Sequence, residues 1–316
     1  MLARLPRIGP GAYARIATAS FVILVLIVFS GAAVRLTGSG LGCPTWPKCH
    51  GHLVTTEVSG HAAIEFGNRM VTGFVAALAV LAALAAFLRR PFRRDLAILG
   101  VLLPIGVAGQ VVLGGLSVLY DLAPGWVMGH FLLSQLILAA AFALMWRARR
   151  EPSDLPPPAD RRTVIATRAL VPLAAWVLFM GTVATASGPH PGASGDDVVT
   201  RLSFHGGSTM TWVIHWHGRF STLLGVSAIV LWFYLRRVDA ASGLRRAVTV
   251  LCVALAVQGA VGIVQYETKL PAGVVWVHVV MATLTWLSVL WAVAAAGRLA
   301  TSEEPEPSRA PARVTA

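Results

Sequence analysis

Residues 16–36 read IATASFVILVLIVFSGAAVRL, and Arg35 is the only charged side chain among them. At about 1.5 Å per residue a helix of this length crosses the roughly 30 Å hydrocarbon core of a bilayer. Seven further stretches of the same character follow, near residues 62–88, 96–119, 126–146, 166–186, 211–235, 246–266 and 274–297. In 316 residues, 56% of them hydrophobic with a mean hydropathy of +0.70, there is more apolar surface than one soluble core would bury. The expected fold is an all-α integral membrane protein with eight transmembrane helices. Arg4, Arg7 and Arg15 ahead of the first stretch give it the look of a secretory leader. Its apolar core is too long for one and no small-residue cleavage site stands out, so it is expected to stay as a helix.

The net charge of +12 would suggest nucleic acid as a partner in a soluble protein, but its distribution is one-sided. With the N-terminus in the cytoplasm, that side collects Arg4, Arg7 and Arg15, Arg89, Arg90, Arg93 and Arg94, then Arg147, Arg149, Arg150, Arg161, Arg162 and Arg168. It also takes Arg236, Arg237, Arg245 and Arg246, and Arg298, Arg309 and Arg313, so that 20 of the 26 basic residues lie there. Arg35, Lys48, Arg69, Arg201, Arg219 and Lys269 fall on the other side or just inside a helix. By the positive-inside rule both termini are expected in the cytoplasm, the lipid bilayer is the partner that the charge pattern serves, and no nucleic-acid role is expected.

The stretch Glu151-Pro152-Ser153-Asp154-Leu155-Pro156-Pro157-Pro158 divides the chain nearly in half and reads as a stiff, extended, polar linker. Across it the sequence repeats. A shift of 148 residues sets Gln258, Gly262, Leu270, Gly273, Val275 and His278 on Gln110, Gly114, Leu122, Gly125, Val127 and His130. A shift of 150 sets Gly181, Gly188, Arg219 and Thr222 on Gly31, Gly38, Arg69 and Thr72. The expected organisation is a four-helix half over 1–147, a linker over 148–165, a second four-helix half over 166–298 and a disordered tail over 299–316. An even number of helices per half inserts both copies the same way round, as two four-helix bundles related by a pseudo-two-fold axis along the membrane normal.

Ionisable and metal-ligating side chains inside a span are costly, so they mark functional candidates. His130 and His278 lie near the starts of the fourth and eighth spans, and Asn68, Arg69, His217 and Arg219 lie slightly deeper in the second and sixth. All fall within roughly 6–12 Å of the outer surface. Two imidazoles from facing helices are the usual way to hold a heme iron in a bundle, and His130 and His278 recur at the repeat period. The plainer reading for any one of these histidines is an interhelical hydrogen bond. Glu65 is placed to pair with Arg69 one turn on, or to face a bound substrate, stabilise positive charge and handle a proton. Arg69 and Arg219 fit either heme propionates or the outer ends of the bundle. Cys43 and Cys49 sit on the oxidising side, which favours a disulfide, although His50 and His52 beside them leave a copper or zinc site open. Cys252 lies mid-helix and reads as a core residue.

The stretch Arg35-Leu36-Thr37-Gly38-Ser39-Gly40-Leu41-Gly42-Cys43-Pro44-Thr45-Trp46-Pro47-Lys48-Cys49 resembles the first outer-loop signature of heme A synthases. Ile64-Glu65-Phe66-Gly67-Asn68-Arg69 resembles the Glu-x-x-His-Arg segment that follows it in that family. The resemblance extends over both halves. It implies a multi-pass enzyme of the bacterial plasma (inner) membrane that oxidises the ring methyl of heme O to the formyl group of heme A with oxygen from water. It implies heme b as cofactor in the second half, with His278 as a ligand, and heme O as substrate in the first half on His130. It further implies Glu65 as the catalytic carboxylate, Cys43 with Cys49 as a redox-sensitive loop pair, and heme iron as the only metal. Heme O synthase and cytochrome c oxidase assembly factors are the protein partners it implies.

Two positions depart from the family pattern. Asn68 stands where a histidine is expected, so the substrate heme is expected to be held by His130 alone, or by His61, seven residues earlier on nearly the same helical face. In the sixth span His215 and His217 flank the expected position, about 200° apart around the helix at 100° per residue, so only one can meet an iron and His217 is favoured over His215. The second outer loop, with Ser187-Gly188-Pro189-His190, carries no cysteine pair. A diheme cytochrome b passing electrons between carriers would use the same histidines without needing Glu65 or the cysteine loop. A transporter or heme-handling scaffold would use the duplication, but no helix pair carries matched Gly or Pro breaks at mid-membrane.

Overall fold

Every one of the eight apolar stretches is helical, and all of the helices begin ahead of their apolar cores. A computed structural model describes residues 7–43, 45–51, 60–156, 159–194 and 199–299. The helices are α1 (Pro10–Leu36), α2 (Gly60–Leu88), α3 (Arg94–Leu119), α4 (Pro124–Ala148), α5 (Arg161–Ser187), α6 (Thr209–Arg237), α7 (Ser242–Glu267) and α8 (Ala272–Ala296). Proline opens α1 and α4, where its missing N–H costs nothing. α5 begins five residues ahead of its apolar stretch because the Asp160 carboxylate accepts from the Thr163 backbone N–H at 3.0 Å and caps it. The linker is therefore shorter than the expected 148–165, and it is not extended throughout: Pro152–Asp154 forms a turn of 3-10 helix. Pro157 and Pro158, the tail beyond Leu299, Arg4, Arg309, Arg313 and His52 lie outside the described residues.

Large apolar side chains such as Phe74, Ile105, Leu136, Val230 and Ile263 stand outward and exposed. That arrangement suits lipid rather than water. All eight helices are long and apolar enough to cross a bilayer, and the chain is a multi-pass membrane protein.

Inside, packing follows chain order. α1, α2, α3 and α4 touch in a closed ring, as do α5, α6, α7 and α8. One buried cluster, with Tyr13, Leu24, Leu96, Leu103, Leu138 and Leu144, fills the first ring, and another, with Leu170, Leu224, Leu235, Leu251, Trp286 and Val289, fills the second. The rings meet through α1 with α8, α4 with α8, and α4 with α5. Exchanging each helix for the one four places away leaves these neighbour relations unchanged. Gln135 Nε2 lies 3.4 Å from Thr283 Oγ1, and these two residues are 148 apart in sequence. The chain also leaves α3 and α7 in the same way. Asp121 and Leu122 adopt φ of 48° and 55°, Lys269 and Leu270 φ of 64° and 63°. The Leu122 N–H donates to Ser117 O and the Leu270 N–H to Gln265 O, at 2.7 and 2.8 Å.

One end of the bundle carries His61, His130, His217 and His278, and the other most of the arginines. At the arginine end Arg89 is fully buried and pairs with Glu151 Oε1 at 2.6 Å, while Arg93 and Arg147 converge on Asp95 at 2.7 and 2.9 Å.

Candidate functional site

Small residues on α3, α5 and α7 make room for imidazoles at the histidine end. A Cβ on Gly262 would lie 3.3 Å from His278 Cε1, and one on Gly114 would lie 3.2 Å from His130 Cε1. The residues that match at the repeat period thus build the same pocket twice. Gln110 and Gln258, one turn earlier on α3 and α7, brace these pockets: Gln110 donates to His130 O at 2.9 Å, and Gln258 to His278 O at 3.2 Å, with its amide 3.1 Å from His278 Nε2.

α6 completes the second pocket. His217 packs over Gly181 of α5, and its ring centre is 6.3 Å from that of His278, with the planes inclined at 66°. Two imidazoles bonded to one metal at about 2.0–2.1 Å hold their ring centres roughly 6 Å apart. The separation and tilt are those of an edge-on ring contact, and they bring the two imidazoles together as candidates to hold a common group. His217 and His130 each bury an Nδ1 without a hydrogen-bond partner, an unusual state for a buried polar atom. His215 points elsewhere and is exposed.

In the first half α2 presents Glu65, buried, to the loop that follows α1. Its carboxylate accepts from the Cys43 backbone N–H at 2.7 Å and from Arg69 Nε at 3.1 Å, with a second bond from Arg69 Nη2. Arg69 also donates to the carbonyls of Cys43, Thr45 and Lys48, at 3.0, 3.0 and 3.3 Å. Cys43 and Cys49 form a disulfide, so neither sulfur is free to bind copper or zinc. The loop continues inward: Trp46 lies against Gly115 of α3, next to the Gly114 that holds His130. His61, in the first turn of α2, is exposed and has Nδ1 2.9 Å from Ser39 Oγ. Arg219 stacks on Trp216, its guanidinium carbon 4.7 Å from the ring centre, and forms no ion pair among the described residues.

The loops that follow α1 and α5 meet. The Gly40 N–H donates to Gly192 O at 2.7 Å, and a Cβ on Gly40 would sit 2.8 Å from that oxygen, so only glycine fits there. Arg35 reaches from α1 to the carbonyls of Thr185 and His190, and His190 Nε2 lies 2.7 Å from Leu270 O. Cys49→Ser is expected to release a loop whose closure is worth roughly 2 kcal/mol on a chain-entropy basis, lowering activity without emptying the site at His217 and His278. Heme content and activity measured together check this. Mass mapping that finds both thiols free in wild-type protein prepared without reductant counts against it.

A family described as cytochrome oxidase assembly protein has a sequence model that matches residues 14–63 and 54–290. The chain belongs to this family, that of the heme A synthases. Proteins named heme A synthase resemble it from Lysinibacillus sphaericus (33% identity over 129 residues, 40% of this chain), Halalkalibacterium halodurans (28% over 141, 44%) and Alkalihalophilus pseudofirmus (32% over 122, 38%). The matched stretches span 42%, 47% and 41% of those relatives, less than half the length of each.

Several residues of this heme A synthase family member had no role assigned from sequence. Gln110, Gln258, Gly114 and Gly262 appeared only as matches within the repeat, and their persistence at one period was the available clue. Ser30, whose hydroxyl donates to Asn68 Oδ1 at 2.7 Å, gave no clue at all.

Proposed function

We propose that the protein oxidises the ring methyl of heme O to the formyl group of heme A with oxygen taken from water, serving the assembly of a heme-A-containing cytochrome c oxidase. The observation that carries this reading is the repeated imidazole pocket, closed by His217 over His278 in the second half and present again at His130 in the first. The second half takes heme b on His217 and His278, and heme b when bound supplies a redox centre that accepts and passes on single electrons. The first half takes heme O on His130.

Glu65 is the catalytic carboxylate. Arg69 and the Cys43 amide hold it fixed, and a carboxylate held there would stabilise positive charge developing on the substrate and accept a proton from water. The disulfide loop with Trp46 covers this end and excludes bulk water. Arg69 and Arg219 would bind heme propionates, Arg69 already committed to the loop and Arg219 the freer of the two. The helix exchange relations and the Gln135–Thr283 contact are what two halves around a pseudo-two-fold axis would produce. The arginine end faces the cytoplasm of a bacterial plasma membrane with both termini there, and heme O synthase and oxidase assembly factors are the partners. A pyridine hemochrome spectrum of purified protein tests the reading. Heme b together with heme O or heme A is expected; heme b alone would make the chain a diheme cytochrome, and no heme would end both readings.

A further inference from the structure

The two rings of helices leave a groove between them at the arginine end. α7 packs on α6 and α8 but, among the described residues, on neither α1 nor α4, and a cavity of about 640 Å³ lies over α8 in the gap. Its floor runs along α8 from Met281 to Trp291, about 15 Å of helix at 1.5 Å per residue. That is half of the roughly 30 Å hydrocarbon core, the depth of one leaflet. The walls are apolar, with Phe21 and Phe142 on one side and the exposed Val250, Val253 and Val257 on the other.

The mouth of the groove is charged. Arg149 and Arg150, where α4 ends, line it and form no ion pair among the described residues, whereas Arg147 beside them is paired with Asp95 at 2.9 Å. The Arg150 guanidinium carbon lies 3.4 Å from the centre of the Trp146 ring, another lining residue, which fixes that charge at the mouth. Burial pushes the Arg150 pKa down, and the Arg149 charge beside it pushes the same way, so the two cations face each other without an anion to relieve them. A second cavity, of about 370 Å³, shares Val250 with the groove and extends its basic rim with Arg236, Arg245 and Arg246.

The duplication supplies a comparison within the same chain. α3 packs on neither α5 nor α8 among the described residues, so the repeat leaves a matching gap beside it. At the 148-residue period, however, Trp146, Arg149 and Trp291 correspond to Ala294, Gly297 and Ala143. The matching gap thus lacks the tryptophans and the first arginine of the pair. The lined and charged groove belongs to one side of the molecule and does not follow from the shared frame alone.

We propose that this groove binds one anionic glycerophospholipid, with an acyl chain lying along α8 between the apolar walls and the phosphate held by Arg149 and Arg150. Such a lipid supplies both a chain for the walls and a charge opposite to that of the guanidiniums, whose forked donors suit phosphate oxygens. It bridges α4 and α7, which do not touch, and so joins the two halves at the end remote from the histidines. The inference stands apart from what the histidines hold.

Full-length protein in mild detergent, stripped of lipid and titrated with phosphatidylglycerol or phosphatidylcholine of the same acyl chains, tests this by native mass spectrometry. One phosphatidylglycerol per chain is expected to bind in preference to phosphatidylcholine, and inorganic phosphate should not displace it. The double variant Arg149→Gln, Arg150→Gln should weaken phosphatidylglycerol binding roughly 10- to 30-fold, the range set by two basic side chains at a membrane surface. Ser288→Phe, which fills the floor and leaves both arginines in place, should weaken it as well. Arg161→Gln with Arg162→Gln removes the same charge at the same end but outside the groove, and should change binding little. Circular dichroism checks that each variant keeps its helices; should the double variant not accumulate, Arg149→Gln alone, at an exposed position, must still weaken binding. Equal binding of the two lipids to the wild type, displacement by phosphate, an equal loss in the Arg161 and Arg162 variant, or unchanged binding in Ser288→Phe would overturn the proposal.

Discussion

His278→Ala protein is expected to lose its heme b while retaining the heme held by His130. The two proposed heme sites draw on separate rings of helices, and the second lies between α6 and α8. Removing the His278 ring leaves His217 as the sole ligand and a void beside Gly262 where the imidazole packed. Loss of an outer hydrogen-bond partner at a metal site costs about 10–100-fold in affinity. Loss of the ligand itself should exceed that, and Gln258→Ala, which removes only the brace, should fall within it. Hemochrome quantification of each variant reads the effect directly. Added imidazole should restore part of the low-spin spectrum in His278→Ala, because a free ring fits the vacated space. A full low-spin heme b spectrum without imidazole would mean that His278 is a packing residue.

The apolar runs alone gave the helix count and their approximate places, since a bilayer leaves little freedom in how some 20 apolar residues are used. Helix ends were less legible. α5 starts at Arg161 because Asp160 caps it, and a cap depends on one side chain rather than on average polarity. The period of the repeat located His130 and His278, and helical angle separated His215 from His217. What stayed hidden depends on contacts between distant segments. Trp46 against Gly115, Arg35 on the carbonyls of Thr185 and His190, and Ser30 on Asn68 each join residues that no local pattern pairs. Glu65 was legible as a partner of Arg69, but its bond to the Cys43 amide ties it to the disulfide loop, and that relation appears only in three dimensions.

That tie shapes the expected behaviour of Glu65→Gln, the variant on which the chemistry turns. Glutamine keeps an oxygen for the Cys43 N–H, and Arg69 keeps its three loop carbonyls, so the loop should stay closed and both hemes should bind. The negative charge is removed, together with the two bonds that Glu65 Oε1 accepts from Arg69, since an amide NH2 cannot accept them. If that charge stabilises the cation forming at the heme methyl, the conversion should slow by about 100- to 1000-fold, equivalent to roughly 3–4 kcal/mol of barrier, and cells should accumulate heme O or a hydroxylated intermediate in place of heme A. Arg69→Ala separates this from a loop-anchoring role. It releases three loop carbonyls but leaves the carboxylate, so a purely structural Glu65 would make Arg69→Ala the more damaging variant. A catalytic Glu65 predicts the reverse order. Heme extracts from Glu65→Gln cells that contain heme A at wild-type levels would reduce this residue to the anchor of the disulfide loop.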